Sequence, residues 1–92
     1  MLCPYNNIVN KTENAISVKV YKENPAQSFG ARIIYSFTLA SGKSKKQRVD
    51  KDVLFYYIAT NNTGAPLSGS YREFEGTFEV ENCNETVDED IE

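Results

Sequence analysis

The stretch from Glu73 to Glu81, E-F-E-G-T-F-E-V-E, constrains the fold more than any other part of this chain. Side chains alternate across a β-strand, so the glutamates share one face while Phe74, Phe78 and Val80 share the other. This alternation predicts a strand with one apolar face on the core and one acidic face in water. A slip of one residue would bury the glutamates, so the pattern also determines which side faces inwards.

Similar alternation recurs along the chain, without helical periodicity. It predicts strands over residues 5–9, 15–22, 31–40, 44–49, 53–60 and 71–81. The 53–60 segment is apolar on both faces, as in a central strand, whereas the lysine-rich 44–49 segment is predicted as an edge strand. Together these features indicate an all-β domain, a small antiparallel β-sandwich with an immunoglobulin-like Greek key of about six to seven strands. A small β-barrel is the alternative.

A chain of 92 residues makes one domain. We predict that residues 1–83 form the sandwich and that residues 84–92 form an acidic, disordered tail. No apolar run approaches the roughly 20 residues of a membrane-spanning helix, so no transmembrane segment is expected. No signal peptide is expected either, because the first residues lack a charged segment followed by an apolar one.

The net charge of −3 conceals a division along the chain. Residues 1–72 carry all ten cations and four acids, whereas residues 73–92 carry nine acids and no cation. Such asymmetry is typical of chains that bind a charged partner or themselves. It also arises when acidic and basic strands lie side by side, as the 43–51 hairpin and the 73–81 strand could do here. If these two segments lie apart, the acidic face becomes the first place to look for a ligand.

Cys3 and Cys83 lie on either side of the strand pattern. Because the ends of a domain often lie close together, we predict a disulfide between them, with two reduced cysteines as the alternative. Three Asn-x-Thr sequons start at Asn10, Asn61 and Asn84, in predicted turns or beyond strand ends, and are possible glycosylation sites. These features favour a secreted glycoprotein, extracellular or at the cell surface, over a cytoplasmic protein.

The chain has no histidine, which removes the commonest general base and the commonest metal ligand. Its glycines match neither a phosphate-binding loop nor a dinucleotide fingerprint. We therefore expect no enzyme, no catalytic residue, no cofactor and no metal site. A hydrolase that uses paired carboxylates ranks third among the functional interpretations.

The leading interpretation is a non-catalytic module that binds another protein or itself through charged edge strands. Tyr56 joins the charged candidates because Leu54, Tyr56 and Ile58 would form an interface patch if the fold left them uncovered. No nucleic-acid partner is expected, because no aromatic residue lies among the cations of residues 43–51. The predicted partner-binding residues are Glu73, Glu75, Glu79, Glu81, Lys43, Lys45, Lys46, Arg48 and Tyr56.

The alternative is a lectin-like module that binds carbohydrate or calcium. Its site would lie in the loop after the central strand, where hydroxyl and amide side chains cluster near a tyrosine. Calcium prefers several oxygen ligands from a loop. The candidate ligand residues are Asn61, Asn62, Thr63, Ser68 and Tyr71.

Overall fold

Strands form where the sequence alternates apolar and polar side chains, and one further strand forms at the acidic C-terminal end. A computed structural model describes residues 5–27, 29–64, 66–67, 69–82 and 84–92. Within these ranges there are seven strands and no helix: β1 (Tyr5–Asn10), β2 (Ile16–Tyr21), β3 (Ile33–Leu39), β4 (Ser44–Arg48), β5 (Phe55–Thr60), β6 (Glu73–Phe78) and β7 (Thr86–Ile91). The described chain contains no helix long and apolar enough to cross a membrane.

The strands form two sheets. Sheet A has the order β4-β1-β7, with β1 antiparallel to β4 and parallel to β7. Sheet B has the order β3-β2-β5-β6, with every neighbouring pair antiparallel. No strand of one sheet pairs with a strand of the other within the described ranges, so the sheets do not close. The prediction of a small all-β sandwich is confirmed.

The strand order shows which strands are neighbours in each sheet, which side-chain alternation alone does not specify. β2 pairs with β5, as the second and fifth strands of an immunoglobulin-like sheet do. In the immunoglobulin arrangement the first and fourth strands belong to the same sheet as the second and fifth, whereas here β1 and β4 lie in sheet A and β2 and β5 in sheet B. The predicted edge position of β4 and the predicted central position of β5 are both confirmed.

The core lies between the sheets. Phe55 of β5 stacks on Phe78 of β6, with ring centroids 5.3 Å apart and an interplanar angle of 15°. The acidic strand has the predicted orientation, since Phe78 and Val80 are buried while its glutamates are exposed. The buried apolar side chains are Ile8, Ile16, Val18, Val20, Leu39, Val49, Phe55, Tyr57, Ala59, Phe78, Val80 and Ile91.

Residues 86–91 form β7, so the prediction of a disordered tail over residues 84–92 is wrong. β7 pairs in parallel with β1 from Tyr5↔Thr86 to Asn10↔Ile91. Its burial alternates, and Ile91 is only 2% exposed. The strand was missed because the density of acids hides a short alternation. Its pairing partner, β1, lies about 80 residues earlier in the chain, where local patterns give no indication of it.

Candidate functional site

The basic and acidic segments singled out in the sequence lie in different sheets. β4 is an edge of sheet A, whereas β6 is an edge of sheet B, so the 43–51 hairpin does not pair with the acidic strand. The strand that lies across sheet A from β4 is β7, which contains Asp88, Glu89 and Asp90. Sheet A therefore has a basic edge strand on one side and an acidic edge strand on the other.

The pairing register aligns these opposite charges across the outer face of sheet A. Asn7, in the central strand β1, is paired with Lys46 on one side and with Asp88 on the other. Both charged side chains are exposed. The Lys46 Nζ atom lies 4.6 Å from the centroid of the Tyr5 ring, a cation–π contact that orients it along this face. Sequence analysis named Lys46 but missed Asp88, because it assigned no strand there.

An ion pair lies at one end of the acidic edge. The Lys11 Nζ atom is 3.1 Å from Asp90 Oδ2, and both side chains are substantially exposed. The hydrogen bond to Asp90, followed by its charge, raises the pKa of Lys11. Exposed pairs of this kind contribute little stability. Lys11 pairs directly with Asp90, and the charge of Asp88 also contributes to raising the pKa of Lys11.

Both edges of sheet A are open within the described part of the chain. The only strand neighbour of β4 there is β1, and the same holds for β7. An edge strand presents unpaired backbone N–H and C=O groups, and charged side chains make it selective for an edge of opposite charge. Among the described residues, the Tyr35 hydroxyl of β3 donates to the backbone carbonyl of Arg48, the last residue of β4.

Buried amides hold the two edges in a fixed relation to each other. Asn6, which is fully buried in β1, donates from Nδ2 to the carbonyl of Val87 in β7 at 3.0 Å. Its Oδ1 accepts a hydrogen bond from Gln47 Nε2 in β4, also at 3.0 Å. A single side chain therefore connects all three strands of sheet A. The Oε1 atom of Gln47 is the one buried side-chain polar atom without a partner among the described residues.

Asn10 closes the turn after β1, and its burial argues against the predicted glycosylation there, which stays a prediction. The side chain is fully buried, and Nδ2 donates to the carbonyls of Asn14 at 2.8 Å and Leu39 at 3.0 Å. Its Oδ1 accepts from the N–H and the hydroxyl of Thr12, at 2.9 and 2.6 Å. A glycan would have to replace one of these amide hydrogens and would have no space.

Asn61 has the same role in the loop after β5, and its burial argues against its predicted roles as glycosylation site and loop ligand, which stay predictions. It is 2% exposed, donates to the carbonyl of Ser70 at 2.9 Å and accepts from the N–H of Arg72 at 2.8 Å. The side chain therefore ties the two ends of the loop together. The predicted glycosylation site Asn84 is exposed and stays a prediction.

The rest of the predicted ligand loop gives no converging site. Asn62 is exposed, Thr63 is half-buried, and the Tyr71 hydroxyl lies 3.3 Å from Glu73 Oε2. Ser68 lies outside the described residues, as do Cys3 and Cys83 with their predicted disulfide. In the described ranges no group of three or more Asp, Glu, His or Cys side chains could hold a metal ion. Carbohydrate and calcium binding stay predictions.

A polar cleft lies beside this loop. Its volume is about 400 Å³, and cations and acids are mixed along its walls, including Lys11, Arg72 and Glu92. The Arg72 guanidinium stacks on the Phe74 ring at 4.7 Å. The mixture of signs gives the cleft no preference for an anion or a cation.

The outer face of sheet B brings together the tyrosines that the sequence placed on its exposed side. Tyr21 and Tyr56 are paired across β2 and β5. Tyr56 and Ile58 are half-buried and line a groove of about 330 Å³ beside Pro25. Leu54 is 43% exposed. This face is therefore only partly covered, by the segment that follows β2.

Tyr57 and Glu89 link the two sheets through the interior. The Tyr57 ring crosses β6 at Gly76, where a Cβ atom would lie 2.5 Å from the ring, so only glycine leaves space for it. Its hydroxyl hydrogen-bonds to Glu89 of β7. Burial is the main cause that raises the pKa of both groups, and the nearby charge of Asp90 raises the pKa of Glu89 further.

The raised pKa of Glu89 predicts a specific pH dependence of stability. A carboxyl group whose pKa is higher in the folded state binds protons more readily there, so its ionisation destabilises the fold as pH rises above its ordinary value of 4.5. We expect Glu89→Gln, which still accepts a hydrogen bond from Tyr57, to become more stable relative to the unsubstituted chain across this rise. Thermal unfolding of both chains between pH 4 and pH 8 measures this difference in stability.

The exposed Asp88→Asn change on the same strand is the control for the loss of one negative charge. If Glu89→Gln and Asp88→Asn shift the unfolding midpoint equally at every pH, burial of Glu89 has no effect on its protonation. High salt in all samples suppresses differences in long-range charge interactions.

Comparison of the chain with protein-family models, with curated proteins and with solved structures finds no match.

Proposed function

We propose that this chain is a non-catalytic interaction module that associates with itself through charged edge strands. The observation that carries the proposal is that β4 and β7, of opposite charge, are the two edges of the same sheet. β4 contributes Lys45, Lys46 and Arg48 and no acid. The two edges are complementary to each other, so a second copy of the chain offers each edge a fitting partner.

The chemistry of the side chains supports a binding role more than catalysis. The sequence has no histidine, and the carboxyl group with a raised pKa, Glu89, already accepts a hydrogen bond from Tyr57 inside the sandwich. The polar cleft beside the loop mixes charges of both signs. The charged edges, in contrast, are exposed and held in place by the Asn6 network.

Sedimentation velocity at low and high salt tests this function. Screening reduces the range of charge interactions from about 30 Å at 0.01 M salt to about 3 Å at 1 M. We expect larger species at the low salt concentration and a monomer at the high salt concentration. A monomer at every salt and protein concentration would exclude self-association.

A matched pair of substitutions assigns the effect to the edge of sheet A. Lys46→Glu reverses a charge on β4, whereas Lys19→Glu makes the same change on the exposed face of sheet B. We expect Lys46→Glu to weaken association at low salt and Lys19→Glu to leave it nearly unchanged. Equal loss in both variants would mean that net charge, and not the edge strand, controls association.

The extracellular location, the Cys3–Cys83 disulfide and a glycan on Asn84 remain proposals that rest on the sequence. They are compatible with a self-associating module, because an oxidising compartment would preserve the bridge. Binding of carbohydrate or calcium through the 61–71 loop is the less favoured proposal, because Asn61 is occupied in closing that loop.

A further inference from the structure

The directions of the strands in sheet A decide how two copies can meet. β7 runs parallel to β1, and β4 runs antiparallel to β1. If a second copy follows the first in the same orientation, its β4 therefore runs antiparallel to the β7 of the first copy. Antiparallel pairing is the more stable and the more common arrangement. A simple repeat thus gives both edges a partner of favourable direction.

The registers on the two sides of β1 also place opposite charges together. Asn7 is paired with Lys46 and with Asp88, so all three lie in one row across the sheet. Continuing that row into the next copy brings Asp88 of β7 opposite Lys46 of the neighbouring β4. Opposite charges directly across an antiparallel pair are favourable, and like charges are unfavourable.

The β4–β7 pairing continues sheet A from copy to copy. The acidic β6 edge of sheet B also complements β4 in charge, and Asp88→Lys distinguishes that pairing because Asp88 lies on β7. The remaining edge pairings fit less well. Two β4 strands would oppose cations, and two β7 strands would oppose acids. The β3 edge of sheet B, Ile33–Leu39, contains no charged residue, so pairing through it would not respond to salt. The complementary β4 and β7 edges lie on opposite sides of sheet A. A two-fold dimer joins the same surface patch of both copies, so it cannot pair β4 with β7 on both sides at once.

We propose that copies of this chain join head to tail, with β7 of one copy pairing antiparallel to β4 of the next, so that sheet A continues through an open array. This inference rests on the proposed function, because it specifies how self-association occurs. Each junction satisfies backbone groups that the two edges otherwise present to water. Because the array always has one free edge at each end, growth continues until copies are depleted or the array closes into a ring.

A charge swap at the junction tests this geometry. Lys46→Glu and Asp88→Lys each place like charges opposite each other, and we expect each to weaken the association constant at low salt by about tenfold. The double variant Lys46→Glu with Asp88→Lys restores opposite charges in reversed order and should associate nearly as well as the unsubstituted chain. An equimolar mixture of the two single variants should also recover association.

The outcomes separate the junction from the function. Weakening in both single variants with recovery in the double variant supports the head-to-tail junction. Salt-sensitive association that Asp88→Lys retains overturns the β4–β7 junction, whatever the effect of Lys46→Glu, and leaves the self-association function standing. Association that ignores salt overturns it in favour of the uncharged β3 edge. A monomer under all conditions removes the junction and the proposed function together. Circular dichroism at high salt verifies that each variant is folded.

Discussion

Replacing Phe78 by alanine is expected to lower the free energy of unfolding by about 3–5 kcal/mol. The Phe78 ring is 4% exposed and stacks on Phe55 between the sheets, so its removal exposes apolar surface and leaves a cavity. Domains of this size are stabilised by only about 5–15 kcal/mol in total. Urea unfolding at high salt, where association is suppressed, measures the loss.

Two further variants make this result interpretable. Thr77→Ala changes the neighbouring, exposed position of β6 and is expected to shift stability by no more than about 0.5 kcal/mol. Phe78→Leu keeps an apolar side chain in the same space and should cost less than Phe78→Ala, which keeps the comparison possible if the alanine variant does not fold. A loss below about 1 kcal/mol for Phe78→Ala would place this ring outside the core.

Ile91→Ala is expected to destabilise the chain by about 2–5 kcal/mol, although it lies only one residue from the end of the sequence. The physical reason is that Ile91 is 2% exposed and belongs to the buried cluster, on a strand paired with β1. A disordered tail would give almost no effect at this position. Thermal unfolding of the variant therefore decides between a strand and a tail.

The matched control for Ile91→Ala lies on the same strand. Thr86 is exposed at the start of β7, so Thr86→Ala should change the midpoint of unfolding very little. For a domain of this length each 1 kcal/mol corresponds to roughly 4–8 °C in the midpoint, so the two variants are easily distinguished. Equal midpoints would mean that β7 does not contribute to the stability of the sandwich.

The candidate site was only partly predictable. The cations of β4 and its edge position follow from the sequence, because a short polar strand rich in lysine is typical of a sheet edge. Asp88, the other half of the proposed junction, was hidden in a segment taken for a tail. The sequence pattern favoured the acidic face of β6 as the partner of β4, because the alternation of β6 is the clearest in the chain. In the structure, however, β6 is an edge strand of sheet B, whereas β4 is an edge strand of sheet A.

The sequons show that a short sequence motif does not predict whether its asparagine is buried. Asn-x-Thr is a three-residue motif, and it says nothing about the surroundings of the asparagine. At Asn10 the motif occurs because Thr12 hydrogen-bonds to the Asn10 side chain and shapes the turn. At Asn61 the side chain connects both ends of a loop. Both amides are buried and hydrogen-bonded, in part to residues outside the motif such as Leu39 and Ser70.

Local sequence patterns are sufficient to predict the fold class, the positions of six strands and the inward side of the acidic strand. These properties follow from side-chain alternation, which is local and needs no knowledge of the partner strand. Three further properties depend on the assembled fold: residues 86–91 form a strand, β4 and β7 are edges of one sheet, and Asn10 and Asn61 are buried. Each of these depends on contacts between residues far apart in the chain, where strand pairing and burial, not local pattern, determine the free energy.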